Sequence, residues 1–106
     1  MKRIYNWLAQ PANRNLTVAD IIASKGKKKL TQVKVNSAKE AYACGEANID
    51  MIVCAAKEVE IIREGNDEIF LTAGLGIHEF PTESDMLKLA FSALSAGADA
   101  VMTARS

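Results

Sequence analysis

Short apolar segments alternate with amphipathic segments along most of this chain, and this alternation constrains its fold most strongly. The apolar segments are continuous runs, which is typical of strands that are covered on both faces of a parallel sheet. Each amphipathic segment lies between two such runs, which predicts βα units in an α/β fold with a parallel sheet. The four predicted strands are residues 30–35, 50–56, 68–74 and 99–104.

The predicted helices carry start and stop signals at their ends. Three of them begin with a hydroxyl residue that is followed three positions later by an acidic residue, a spacing in which side chains cap the first turn. These pairs are Thr17 and Asp20, Ser37 and Glu40, and Thr82 and Asp85. Glycines are expected to end the helices, at Gly26, Gly65 and Gly97, and we expect Gly65 to close its helix in the left-handed conformation.

A short pattern occurs twice, in "ANIDMIV" and "AGADAVM", which place Asp50 and Asp99 at equivalent points. In both copies a helix leads into a buried strand through a turn that carries an aspartate. We interpret this repeated pattern as a repeated structural unit and not as a repeated functional site.

Composition narrows the class of protein. The 106 residues suggest one domain, which we assign to residues 16–106 after an N-terminal extension of residues 1–15. The 13 basic and 13 acidic residues balance, so the charge favours neither a nucleic-acid partner nor a membrane surface. No apolar run approaches the ~20 residues of a membrane span, and the first residues do not resemble a signal peptide. We therefore expect a cytoplasmic protein.

Four further side chains are expected to be buried. Cys44 and Cys54 have no metal-type spacing and are expected to be buried thiols, because free cysteine is among the most buried residue types. Tyr5 and Trp7 are expected in the core, since aromatic side chains bury much apolar area.

The order of a leading helix, a lysine-rich turn, a strand and a capped helix resembles the ketopantoate hydroxymethyltransferase (3-methyl-2-oxobutanoate hydroxymethyltransferase) family. The likeness runs from about residue 17 to residue 106, through "GKKKLTQVKVNSAKEAYACGEANIDMIV" and "IFLTAGLGIHEFPTESDMLKLAFSALSAGADAVMTARS". This family belongs to the phosphoenolpyruvate/pyruvate superfamily of TIM barrels. The resemblance implies that the chain is the N-terminal half of a TIM-type (β/α)₈ barrel, preceded by a leading helix.

The resemblance also implies where the family's Mg²⁺, which binds the keto acid, would be held. Its two aspartate ligands fall here on Ala55 and Gly74, and the serine beside the first falls on Ala56. The family's acidic residue after the fourth strand falls on Ala104, and a nearby lysine falls on Met102. Because Mg²⁺ requires oxygen ligands, we expect no metal and no cofactor, and we do not expect the family's aldol chemistry in this form.

The residues that follow each strand form the active-site rim of a TIM barrel, and "LTAGLGIHEF" therefore reaches this rim. His78 is the candidate general base, with Glu79 beside it as the second catalytic candidate. Two other interpretations of the segment remain open. In one, the segment is a phosphate-binding loop, although Glu79 occupies the third glycine position of the dinucleotide pattern. In the other, the segment is a tight loop that leaves His78 exposed.

The other rim positions are candidates for substrate binding. Asn36 and Arg105 are expected to bind the carboxylate of a keto acid, since arginine pairs with carboxylates through two hydrogen bonds. Ala55, Ala56, Gly74 and Gly76 are the remaining candidates at this rim.

Two functional hypotheses follow. In the first, the chain is a divergent or truncated member of the family that binds a small keto acid or carboxylate and is not active alone. In the second, it is a non-catalytic assembly module or fragment that self-associates through open sheet edges. A self-contained open sheet of the flavodoxin type is a third possibility for the fold.

Overall fold

The computed structural model describes residues 1–76 and 82–103, which form an α/β structure with two sheets. Its strands are β1 (Lys2–Tyr5), β2 (Pro11–Arg14), β3 (Gln32–Lys34), β4 (Met51–Ala55), β5 (Phe70–Leu75) and β6 (Ala100–Thr103). Its helices are α1 (Val18–Ser24), α2 (Ala38–Glu46), α3 (Val59–Gly65), which follows a 3₁₀ turn (Ala56–Glu58), and α4 (Glu83–Ala96).

The main sheet contains the four predicted strands, all parallel, in the order β3-β4-β5-β6. This arrangement confirms the prediction of an α/β fold with a parallel sheet. The strand order follows the chain order, so every crossover connection steps to the next strand. β3 is shorter at both ends than the predicted segment, and residue 104, which we also expected in β6, lies outside the described residues.

One face of the main sheet is buried beneath the helices. Its strand residues include Ile52 and Leu71, which are fully buried, and they pack against Ala41 of α2 and Ile62 of α3. The opposite face carries the alternate residues of each strand, and these are half-buried or exposed except for Phe70, which is 5% exposed. The prediction that both faces are covered is therefore confirmed for one face only.

The predicted helix starts are confirmed. The hydroxyls of Thr17, Ser37 and Thr82 each accept a hydrogen bond from the backbone N–H three residues later. At α1 the carboxylate of Asp20 also accepts from the N–H of Thr17, which completes a capping box and lowers the pKa of that carboxyl. At α2 the carboxylate of Glu40 accepts from the N–H of Asn36, one residue earlier than in a standard box.

Gly65 departs from its predicted role. It is the last residue of α3, and its φ is not in the left-handed range, unlike that of Gly97 at the end of α4. A Cβ at position 65 would overlap the backbone carbonyl oxygen of Ala38. Glycine is required here because α3 packs closely against the start of α2, and not because the helix ends in a left-handed residue.

An antiparallel hairpin of β1 and β2 occupies the predicted N-terminal extension and was not predicted. The expectation that its aromatic residues are buried is wrong, because Tyr5 is 70% exposed and Trp7 is 56% exposed. Trp7 instead stacks on Phe91 of α4, with ring centroids 5.5 Å apart. Among the described helices, none is long and apolar enough to cross a membrane.

Candidate functional site

The carboxyl ends of the parallel strands meet at one edge of the main sheet, which we call the rim. Asn36 follows β3, Ala55 ends β4, and Gly74 and Gly76 lie at the end of β5. The fold therefore brings these predicted binding residues to the same edge. His78, Glu79 and Arg105, the other predicted site residues, lie outside the described residues.

Strand register places three rim residues side by side. Ala55 pairs with Gly74, and Gly74 pairs with Met102 on β6. All three lie on the face of the sheet that the helices leave open, since Cys54 and Ala73, their neighbours in sequence, are buried on the other face. Because these residues on β4 and β5 are small, their side chains cover little of the sheet backbone at the rim, beside Met102, which is 55% exposed.

Two of the predicted binding residues have groups that are not available to a ligand. Ala56 is buried, with 4% of its surface exposed, and it begins the 3₁₀ turn, so its side chain presents no surface to a ligand. Asn36 is exposed, but its backbone N–H already donates to Glu40 at 3.0 Å. Only its side chain and carbonyl group remain for a ligand.

The residues at the family's metal positions do not fit Mg²⁺. Ala55 and Gly74 are adjacent across β4 and β5, where two carboxylates would be well placed to share an ion, but neither has a side-chain oxygen. Within residues 1–76 and 82–103, no three His, Cys, Asp or Glu side chains are grouped so that they would hold a metal. No chemical step is therefore derived through a metal at this rim.

Lys34 is a rim residue that the sequence analysis missed. It is the last residue of β3, it is exposed, and it pairs with Val53 of β4, which in turn pairs with Thr72 of β5. These three residues lie on the open face, two residues before the row that contains Ala55 and Gly74. Lys34 lies between Val33 and Val35 in the sequence, and the alternation of side chains along a strand would have placed it on the face opposite these two apolar residues.

The two thiols lie on the buried side of the sheet, as predicted. Burial, reinforced by the charge of Glu58, raises the pKa of Cys54 to about 11, and burial raises the pKa of Cys44 as well. The reactive thiolate is therefore scarce at neutral pH, and burial blocks the access of reagents to both thiols.

We expect neither cysteine to react with a disulfide reagent in the native state and both to react after denaturation. Stoichiometric labelling of the folded chain would contradict this prediction.

At the opposite edge of the sheet, three charged side chains form a buried network. Nε of Arg14 donates to both carboxylate oxygens of Asp99, at 2.9 and 3.0 Å, and Nη2 of Arg63 donates to Oδ2 of Asp99 at 2.9 Å. The three side chains are 5%, 8% and 9% exposed for Arg14, Asp99 and Arg63. Oδ2 of Asp99 also accepts the N–H of Leu71, so the carboxylate bridges β5 and β6.

The other side-chain nitrogens of the two arginines donate to the backbone. Arg14 donates to the carbonyls of Asn13, Asp67 and Gly97. Arg63 donates to the carbonyls of Gly97, Asn66 and Ile69. Burial first, and then the charge of Arg14, lower the pKa of Arg63 to about 10, which still leaves it protonated at neutral pH. Because every guanidinium nitrogen of Arg14 and Arg63 already donates to an acceptor within the protein, we interpret this network as a structural element and not as an anion-binding site.

A cleft of about 660 Å³ also lies at this end of the sheet, away from the rim, between α2 and the turn before β5. Its lining includes Glu46, Asp50, Asn66 and Glu68 and none of the predicted site residues. The side chain of Asn66 donates to the carbonyl of Ala41 and accepts from the N–H groups of Glu68 and Ile69. Asn66 therefore serves to join α2 to the turn.

Comparisons with models of protein families, with curated protein sequences and with solved structures found no match for this chain.

Proposed function

We propose that this chain is a half-barrel related to the ketopantoate hydroxymethyltransferase family, and that its rim binds a small keto acid or other carboxylate. The observation that carries the proposal is the row of small residues, Ala55 and Gly74, on the open face with the ammonium group of Lys34 on a neighbouring strand. The small residues leave room for a ligand, and the lysine supplies the charge that a carboxylate requires.

The strand order supports the half-barrel part of the proposal. Consecutive parallel strands in chain order, with α2, α3 and α4 packed side by side over the buried face, are the arrangement found in (β/α)₈ barrels. A flavodoxin-type sheet has the order 2-1-3-4-5 and carries helices on both faces. The third possibility for the fold is therefore not favoured.

The chain's own residues would bind and orient the ligand without activating it. Lys34 would pair with the carboxylate, and the side chain of Asn36 would supply a second polar contact at the end of the same strand. Arg105 and His78 remain candidates for further contacts. Because Ala55 and Gly74 provide no metal ligands, the proposal contains binding but no aldol step.

We expect Lys34→Ala to weaken the binding of 3-methyl-2-oxobutanoate about tenfold, since a hydrogen bond to a charged group contributes about 1.5–3 kcal/mol, less at an exposed site. The measurement is a titration of the chain followed by isothermal calorimetry or NMR shifts. Lys88→Ala is the matched control, because Lys88 is an exposed lysine on α4. His78→Ala in the same titration tests whether His78 contributes to binding. Equal binding by the wild-type chain and Lys34→Ala would overturn the assignment.

We also expect no ketopantoate from this chain when it is supplied with 3-methyl-2-oxobutanoate, a methylene-carrying folate and Mg²⁺. The reason is the missing carboxylates at Ala55 and Gly74, without which the ion that polarises the keto acid is not held. Product analysis over long incubation, with an active family enzyme as positive control, is the measurement. Sustained turnover would refute the proposal that the chain binds without catalysing.

A further inference from the structure

We propose that two copies of this chain close one eight-stranded barrel, in which β6 of each copy pairs in parallel with β3 of the other. The carboxylate site would then lie on a rim built from both copies. This inference rests on the proposed half-barrel and names the partner that completes its site.

The first support is the direction of the backbone groups along the two outer strands. β3 and β6 are the terminal strands of the sheet, so each has one edge without a neighbour among the described strands. The N–H of Val35 donates to Val53, and the N–H of Asp99 donates to Leu71. Because backbone groups alternate in direction along a strand, those of Gln32, Lys34, Ala100 and Met102 point outward. Parallel pairing of the two outer edges would satisfy these groups in both copies.

The second support is the symmetry of the arrangement. A two-fold axis along the barrel converts the order β3-β4-β5-β6 into a closed ring in which all strands stay parallel. Eight strands also make a barrel whose interior side chains can fill it. The balanced charge of 13 basic and 13 acidic residues opposes no such pairing through long-range repulsion.

The third support is the apolar surface next to the open strands. Met51, Val53 and Met102 lie on the open face and are half-buried or exposed. Beside β3, the side chains of Ile21, Ile22 and Leu30 line a groove, and Ile22 is 67% exposed. In the closed barrel the open face becomes the interior, and this groove borders the partner's β6.

The charge of Lys34 would couple closure of the barrel to binding of the ligand. A lysine on the inward face of an edge strand opposes edge pairing unless its charge is compensated. In the two-copy barrel both Lys34 side chains would enter the interior near the rim. A carboxylate bound there would compensate this charge, and we therefore expect the ligand to favour the dimer.

The experiment combines light scattering over a dilution series with amide hydrogen exchange. We expect twice the chain mass, falling to one chain on dilution, with the dimer favoured by added 3-methyl-2-oxobutanoate. In the dimer the amides of Gln32, Lys34, Ala100 and Met102 should exchange slowly, whereas in the monomer these four should exchange quickly. The amides of Val33 and Val101 point into the sheet and should be protected in both states.

Variants separate edge pairing from other kinds of association. Gln32→Pro and Ala100→Pro each remove an outward N–H and should give monomers, whereas Gln32→Thr and Ala100→Ser keep it and should give dimers. A wild-type monomer, open-ended larger assemblies, or a dimer whose four outward amides exchange quickly would each overturn the proposal. Because exchange is measured on the wild-type chain, a proline variant that does not fold leaves this test intact.

Binding data distinguish a failure of this inference from a failure of the proposed function. A monomeric proline variant that binds the keto acid with wild-type affinity would overturn the shared site while supporting the carboxylate-binding rim. A dimer with slow outward amides that binds no carboxylate would support the closed barrel and refute the proposed function.

Discussion

Replacing Asp99 by asparagine is expected to lower the free energy of unfolding by about 3–5 kcal/mol, the usual cost of removing one partner from a buried ion pair. The neutral side chain would leave the guanidinium groups of Arg14 and Arg63 buried without a carboxylate. Its amide would also direct an NH₂ group at one of these donors. Urea unfolding, followed by circular dichroism, measures the change.

Asp50→Asn is the matched control, because Asp50 occupies the equivalent place in the repeated pattern. Its carboxylate accepts from the N–H of Thr31 at 2.9 Å, as that of Asp99 accepts from the N–H of Leu71 at 3.0 Å. The described partner of this carboxylate is the neutral Thr31, and Asp50 is half-buried, whereas the side chain of Asp99 is only 8% exposed. We expect a loss of about 0.5–1.5 kcal/mol, the range for one ordinary hydrogen bond. Similar losses in both variants would show that the two arginines do not depend on Asp99.

Gly65→Ala is expected to lower the free energy of unfolding by about 1–3 kcal/mol, the typical cost of overpacking. The added Cβ would overlap the carbonyl oxygen of Ala38, and a backbone atom has no alternative rotamer to adopt. α3 and α2 must therefore move apart. Alanine is favoured over glycine in a helix by about 1 kcal/mol, but position 65 is the last residue of α3, where that gain is smaller.

Gly74→Ala is the control for this substitution, since a Cβ at position 74 would approach the carbonyl oxygen of Cys54 at 3.5 Å, an ordinary contact. Gly74 has no left-handed φ, so we expect unchanged stability or a gain of up to about 1 kcal/mol from the reduced freedom of the unfolded chain. If Gly65→Ala were as stable as Gly74→Ala, the close approach of α3 to α2 would be refuted.

Several features of the fold were predictable because their causes are local in the chain. The hydroxyls of Thr17, Ser37 and Thr82 cap helices because the groups they bond lie three residues away. Gly97 ends α4 in the left-handed conformation, which a glycine adopts without steric cost. The apolar runs predicted the strands of the main sheet because uninterrupted runs of that length suit buried parallel strands.

Features that depend on distant residues were not predictable in the same way. Arg14 lies 85 residues from Asp99, and its burial has no local signal in a segment that was assigned to an extension. The pattern that contains Asp50 and Asp99 predicted equal positions in the fold, and both aspartates do bridge neighbouring strands. Their different charge environments arise only where Arg63 and the hairpin meet the start of β6.

The features of the candidate site were likewise only partly predictable from the sequence. The sequence by itself determined that Asn36, Ala55 and Gly74 follow or end strands, because strand boundaries are set by local apolar runs and turn residues. Only the tertiary structure decided that Ala55, Gly74 and Met102 share one row, that Lys34 lies on the open face beside them, and that Ala56 is turned inward. Register and the choice of covered face depend on which helices pack against which strands, and a shift of one residue would exchange the two faces.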